Sequence, residues 1–144
     1  MSTKLQHFGL RLHQQVGSEN LYELMVDHQP YLSVLRDYEV PFAGRIAGAY
    51  QPGLSLASLT NNNGTLVPFV CTCSEPTCWF IKVQVEVIKD MNADYVIWHC
   101  WSNPYRADKT KAAAGLFWDY SDLLPLVFDF EQYQAEITRV TAQQ

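Results

Sequence analysis

Three cysteines crowd together at Cys71, Cys73 and Cys78, and a fourth follows at Cys100. Thiolates are soft anionic ligands, and a tetrahedral zinc site takes four donors, with sulfur at ~2.3 Å. A C-x-C pair can sit on one metal, and the turn at Glu75-Pro76 brings Cys78 back toward it. Cys100 or His99 would supply the fourth donor. In a regular strand those two point to opposite faces, so only one of them can do so. The spacing is not the paired C-x2–4-C of common zinc modules, and two other readings stay open. In one, the thiols are small buried hydrophobes at a strand end and its turn. In the other, one of them is a nucleophile, which needs a neighbouring His, Lys or Arg. His99 is the only histidine near the cluster, Glu75 works against a thiolate, and no redox C-x-x-C or protease signature is present.

Trp79, Trp98, Trp101 and Trp118 form a second group of candidates, with Arg106 between them in the chain. Large aromatics at the open end of a hairpin line a pocket or an interface, or simply fill the core. Arginine presents a planar fork suited to carboxylates and phosphates. The plainer role for Arg106 is a salt bridge to Asp108 or Asp119. His7 and His13 fall on the polar face of an alternating segment and are expected in solvent. Asn63-Gly64-Thr65 matches a glycosylation sequon but reads as a turn.

The elements that must position these residues can be read in order. His7 to His13 alternates, with Phe8, Leu10 and Leu12 on one face, and predicts a strand that Gly17-Ser18 breaks. Leu21, Leu24, Met25 and His28 fall at helical spacing behind Asn20, so a short helix is expected from Asn20 to about His28. Pro30 should end or kink it, with further helical turns through Leu32 and Leu35 to Asp37. Residues 41–64 are broken by Pro and Gly. Leu66 to Val70, interrupted by Pro68, reads as an edge strand. Residues 79–88 and 95–102 then alternate on either side of the turn at Asp90–Asp94, which predicts an antiparallel hairpin. Leu116–Trp118 and Leu126–Phe128 are expected as short strands. Asp129 and Gln132 have capping-box spacing before a C-terminal helix carrying Tyr133, Ile137 and Val140 on one face. The expectation is one α+β domain over residues 1–144, built on an antiparallel sheet around the central hairpin.

With 144 residues, 48% of them hydrophobic, the chain has enough apolar side chains for one packed core. Its net charge is −5, and its ten Lys and Arg form no run. Nucleic-acid binding needs clustered positive charge, so that class is set aside. No window is long and apolar enough for a membrane span, and the first residues lack a secretory core. A cytoplasmic location is expected, and with it reduced thiols rather than disulfides.

One ordered series is more specific than any of its parts. Cys71-x-Cys73, Cys78-Trp79, Val96-x-Trp98, Asn103-Pro104-x-Arg106, Trp118-x-Tyr120 and Pro125-x-x-Phe128-Asp129-x-x-x-Tyr133 follow one another over about half the chain. The series resembles the CxC…GCW, VxW, PHR, WxY and PFxF…Y pattern of an uncharacterised family of small bacterial proteins. Thr77, Tyr105 and Leu126 depart from it, standing where that family has glycine, histidine and phenylalanine. The resemblance implies no activity, and Tyr105 leaves its position without an imidazole for base or metal chemistry.

Together these features favour a binding or interaction protein with a protein partner. An immunity-type role suits its acidity, because negative charge steers a domain to a basic partner. Trp79, Trp98, Trp101, Arg106 and Trp118 are the expected contacts. The alternative is a zinc-dependent or thiol enzyme using Cys71, Cys73 and Cys78. No feature of the sequence sets an oligomeric state.

Overall fold

The computed structural model describes residues 5–60, 64–72 and 79–143. The first strand, β1 (Phe8–Val16), turns at Gly17–Ser18 into β2 (Glu19–Val26), with Phe8 opposite Val26 and Leu10 opposite Leu24. The helix expected at 20–28 is therefore a strand. The residues that bury are Tyr22, Leu24 and Val26, a period of two, and pairing with β1 outweighs the helical spacing of Leu21, Leu24 and Met25. Asp27 (φ 51°) and His28 (φ 68°) are both left-handed, as a tight primed hairpin turn requires. They return the chain into β3 (Gln29–Pro30).

The helical region begins only after that turn, as α1 (Tyr31–Ala43). Pro30 occupies its N-cap position, next to the first helical turn, whose N–H groups have no partner within the helix. β4 (Tyr50–Pro52), β5 (Leu54–Ser55) and the single-turn helix α2 (Leu56–Leu59) follow, the last closed by reciprocal Ser55 and Ser58 hydrogen bonds.

Then come β6 (Gly64–Cys71), β7 (Phe80–Lys89), β8 (Asp94–Ser102), β9 (Leu126–Asp129) and α3 (Phe130–Thr141). The central hairpin matches its expected bounds to within a residue. β6 is not an edge strand. Among the described residues it lies between β4 and β7, and a register shift between Leu66 and Phe69 accommodates Pro68. Leu116–Trp118 forms no strand, and two 3-10 turns, Pro104–Arg106 and Lys109–Ala114, precede it.

The protein is α+β, with a five-stranded sheet ordered β4-β6-β7-β8-β9 and a second sheet in which β2 pairs with β1, β3 and β5. The inward face of the larger sheet carries Ile81, Val83, Val85, Val96, Trp98 and Phe128, all buried. Phe8 and Tyr133 meet Trp98 and Phe128 there, at ring separations of 4.3–6.4 Å. The outward face of β7 shows Lys82, Gln84 and Glu86 to solvent.

α3 also closes one edge of β1. Gln132 accepts from the Phe8 N–H (2.9 Å) and donates to the Phe8 carbonyl (2.7 Å). Glu136 accepts from the Leu10 N–H (2.7 Å), and Arg139 donates to the Leu10 carbonyl (3.0 Å). Three side chains thus satisfy backbone groups that a further strand would otherwise have paired. Asp129 caps the helix at Gln132 N (3.0 Å), while the Gln132 side chain serves β1, so only half of the expected capping box forms. No helix of the described residues is long and apolar enough to cross a membrane.

Candidate functional site

One carboxylate, that of Glu39, is fully buried. Glu39 continues the buried stripe of α1, four residues beyond Leu35 and eight beyond Tyr31. Its Oε1 accepts from Gly48 N (2.8 Å), and its Oε2 accepts from the hydroxyls of Tyr50 (2.7 Å) and Tyr120. Buried Asn103 donates to the Tyr50 oxygen (3.1 Å) and accepts from Tyr105 N (3.0 Å). Burial raises the pKa of both Tyr50 and Tyr120, and the negative charge of Glu39 adds to the rise. Gly48 is required here: it holds φ 67°, and a Cβ would lie 2.5 Å from the Arg36 Cβ. The knot ties α1, β4, the loop after β8 and the 116–120 segment to one charge. Sequence reasoning ended the helical stripe at Asp37 and missed it. The available signal was the i+4 step from Leu35, which puts Glu39 on the apolar face.

Beside the knot, Arg106 lies against a pair of tilted tryptophan rings. Its guanidinium carbon lies 5.1 Å from the Trp79 ring centre and 5.3 Å from that of Trp118, and the two rings are 5.3 Å apart. Trp79 also contacts Tyr50 and donates to the Ala49 carbonyl (3.3 Å). The expected salt bridge to Asp108 or Asp119 is replaced by cation–π contact, and no ion pair to Arg106 occurs among the described residues. Asp108 and Asp119 instead accept from Thr110 and Ser121, whose hydroxyls first and N–H groups second hold both carboxyls below their ordinary pKa. Trp98 and Trp101 face inward, with Trp101 stacked on Tyr31 at 5.0 Å. Of the five expected contact residues, Trp79, Arg106 and Trp118 are thus brought together. Trp98 belongs to the core.

The third feature is a bulge. β8 pairs with β7 through Ser102–Lys82 and then His99–Gln84, so Cys100 and Trp101 share the single position opposite Val83. Cys100 takes φ 58°, rare for a residue with a Cβ, and the alternation of side chains breaks there. His99 and Cys100 therefore do not point to opposite faces as expected. The exposed Cys100 Sγ lies 3.2 Å from His99 Nδ1, and His99 Nε2 is 3.6 Å from Glu86 Oε2 on β7. β9 accompanies β8 only as far as Trp98. Past that point an open groove of about 660 Å³ runs between the bulge and the 117–125 segment. Lys82, Gln84 and Ser102 line one bank, with Phe117, Trp118 and Asp119 on the other.

The cysteines do not assemble as a zinc centre in the described part of the chain. Cys73 and Cys78 lie outside the described residues. Cys71 is disulfide-bonded, which corrects the expectation of reduced thiols, and Cys100 is free. Cys71 stands one residue past the Val70–Phe80 pair and Cys100 at the bulge opposite Val83, two strands apart. That is roughly 10 Å across the sheet and about 13 Å along it, too far for one metal. Among the described residues no group of three or more His, Cys, Asp or Glu is placed to hold a metal ion. No family model, curated protein or solved structure matches the chain.

Proposed function

We propose that this is a binding protein, and that its partner seats in the groove over the β8 bulge. The observation that carries the reading is the groove itself, which draws its lining from β7, β8 and the 117–125 segment. Its volume of about 660 Å³ lies within the range of natural ligand sites, and it combines aromatic walls with a few polar groups. Both banks rest on rigid supports. The hydrogen-bonded hairpin holds one, and the Glu39 knot grips the other at Tyr120. The partner is a protein, and the net charge of −5 favours a basic one by long-range steering. Neutralising a basic toxin is one such role.

A photo-crosslinking amino acid at Lys82, compared with one at Arg36 on the exposed side of α1, tests the proposal in cells that make the protein. One discrete adduct from the Lys82 site and none from Arg36 is expected. Equal labelling from both sites, or none from Lys82, would remove the groove as the binding surface.

A further inference from the structure

The thiol in the groove is not alone. Cys100 Sγ is exposed and lies within hydrogen-bonding reach of His99 Nδ1. The opposite ring nitrogen, Nε2, faces the Glu86 carboxylate at 3.6 Å. A carboxylate on that side favours the tautomer with its proton on Nε2, leaving the Nδ1 lone pair for the thiol. Thiol, imidazole and carboxylate are thus neighbours across two strands, the set of groups that activates a nucleophile, with Nε2 buried, unpaired by any hydrogen bond and 3.6 Å from the carboxylate. The juxtaposition exists because the bulge sets Cys100 at φ 58°; regular strand geometry would turn the two side chains apart. The charges beside it are Lys82 on its own bank and Asp119 on the other. One cation and one anion across a groove match a molecule that carries both carboxylate and ammonium groups.

We propose that Cys100 is a reactive thiol whose substrate is a small zwitterionic disulfide, an amino-acid or short-peptide disulfide held between Lys82 and Asp119. The Cys100 proton passes to His99 Nδ1 as Sγ attacks one sulfur of the bound disulfide. The substrate S–S bond breaks and a new bond joins Cys100 to that sulfur. The departing thiolate leaves with the bonding electron pair and takes the proton from His99. The substrate disulfide is the oxidant, and one free thiol is released for each mixed disulfide formed. Attack on sulfur develops no carbonyl oxyanion, so these groups suffice for the step.

The inference shares its groove with the binding proposal, but its test needs no partner. Intact-mass kinetics on the full chain would compare oxidised glutathione with the uncharged bis(2-hydroxyethyl) disulfide. Oxidised glutathione should modify Cys100 about tenfold faster or more, and Cys100→Ser should abolish that adduct. Replacing the base with His99→Gln should slow both reagents on the order of 10²-fold and remove a limb of the rate–pH profile that a merely structural histidine would not supply. Lys82→Met should slow glutathione alone. Should His99→Gln fail to fold, the exposed Glu86→Gln change provides the second variant, with a smaller loss for both reagents. Three results overturn the proposal: equal rates for the two disulfides, folded Cys100 reacting no faster than in the urea-unfolded chain, or His99→Gln with unchanged rate and pH profile. Retained crosslinking from Lys82 in Cys100→Ser would separate a failed thiol from a failed groove.

Discussion

Glu39 is the residue on which most other groups depend. Three donors converge on a carboxylate with no solvent contact, so removing it strands Gly48 N–H and two phenols in a dry interior. Buried hydrogen bonds to a charged group contribute about 1.5–3 kcal/mol each, and an abandoned donor carries its own desolvation cost. Glu39→Ala should lower unfolding stability by roughly 3 kcal/mol or more, measured by urea denaturation, and Tyr120→Phe by about half that. The same cluster sets the response to base. Tyr31, Tyr50, Tyr120 and Tyr133 hold their protons above the ordinary tyrosine value because burial opposes the phenolate, with Tyr133 pushed up to about 12. Above the unfolded value, near pH 10, the folded state therefore binds more protons than the unfolded one. Stability should be fully present below pH ~10 and fall as pH rises beyond it. Denaturant midpoints taken from neutral pH upward would test this; a midpoint that is flat through pH 11 would contradict it.

At the level of elements, α3 acts as a substitute strand. Gln132, Glu136 and Arg139 lie on one helical face, at i, i+4 and i+7, and between them satisfy both backbone groups of Phe8 and of Leu10. Gln132→Ala should speed hydrogen exchange at Phe8 and lower stability by about 1–2 kcal/mol, without altering α3 itself. The Glu136 carboxyl is held below its ordinary value, first by the Arg139 hydrogen bond and then by the Leu10 N–H. A depressed carboxylate contributes stability above its unfolded value near 4.5, and that contribution is lost as pH falls toward the folded value. Glu136→Gln should therefore flatten the acid limb of the stability–pH curve.

For the molecule as a whole, the two sheets and three helices of the described residues cover the inward face of the large sheet and leave Lys82, Gln84 and Glu86 on its outward face exposed. The bulge that ends the inward alternation of β8 also places the groove and the free thiol on that open side. Cys71 and Cys100 thus occupy different redox states in one chain. Protein unfolded without reductant should titrate fewer than its four cysteines with a thiol reagent, and all four after reduction. Four reactive thiols without reduction would remove the disulfide at Cys71.

The alternation of Ile81, Val83 and Val85 against Val96 and Trp98 determined the central hairpin. Period-two burial and a polar turn are local properties that need no partner to be read. Tyr133, Ile137 and Val140 determined the C-terminal helix for the same reason. Residues 19–26 carried both a helical and an alternating pattern, and only pairing with β1 decided between them. Glu39, Tyr50, Asn103 and Tyr120 lie up to 81 residues apart, and their convergence is a property of packing that no spacing records. The meeting of His99 with Cys100 depended on one bulge. Strand periodicity placed them on opposite faces, and a single inserted position brought base and thiol together.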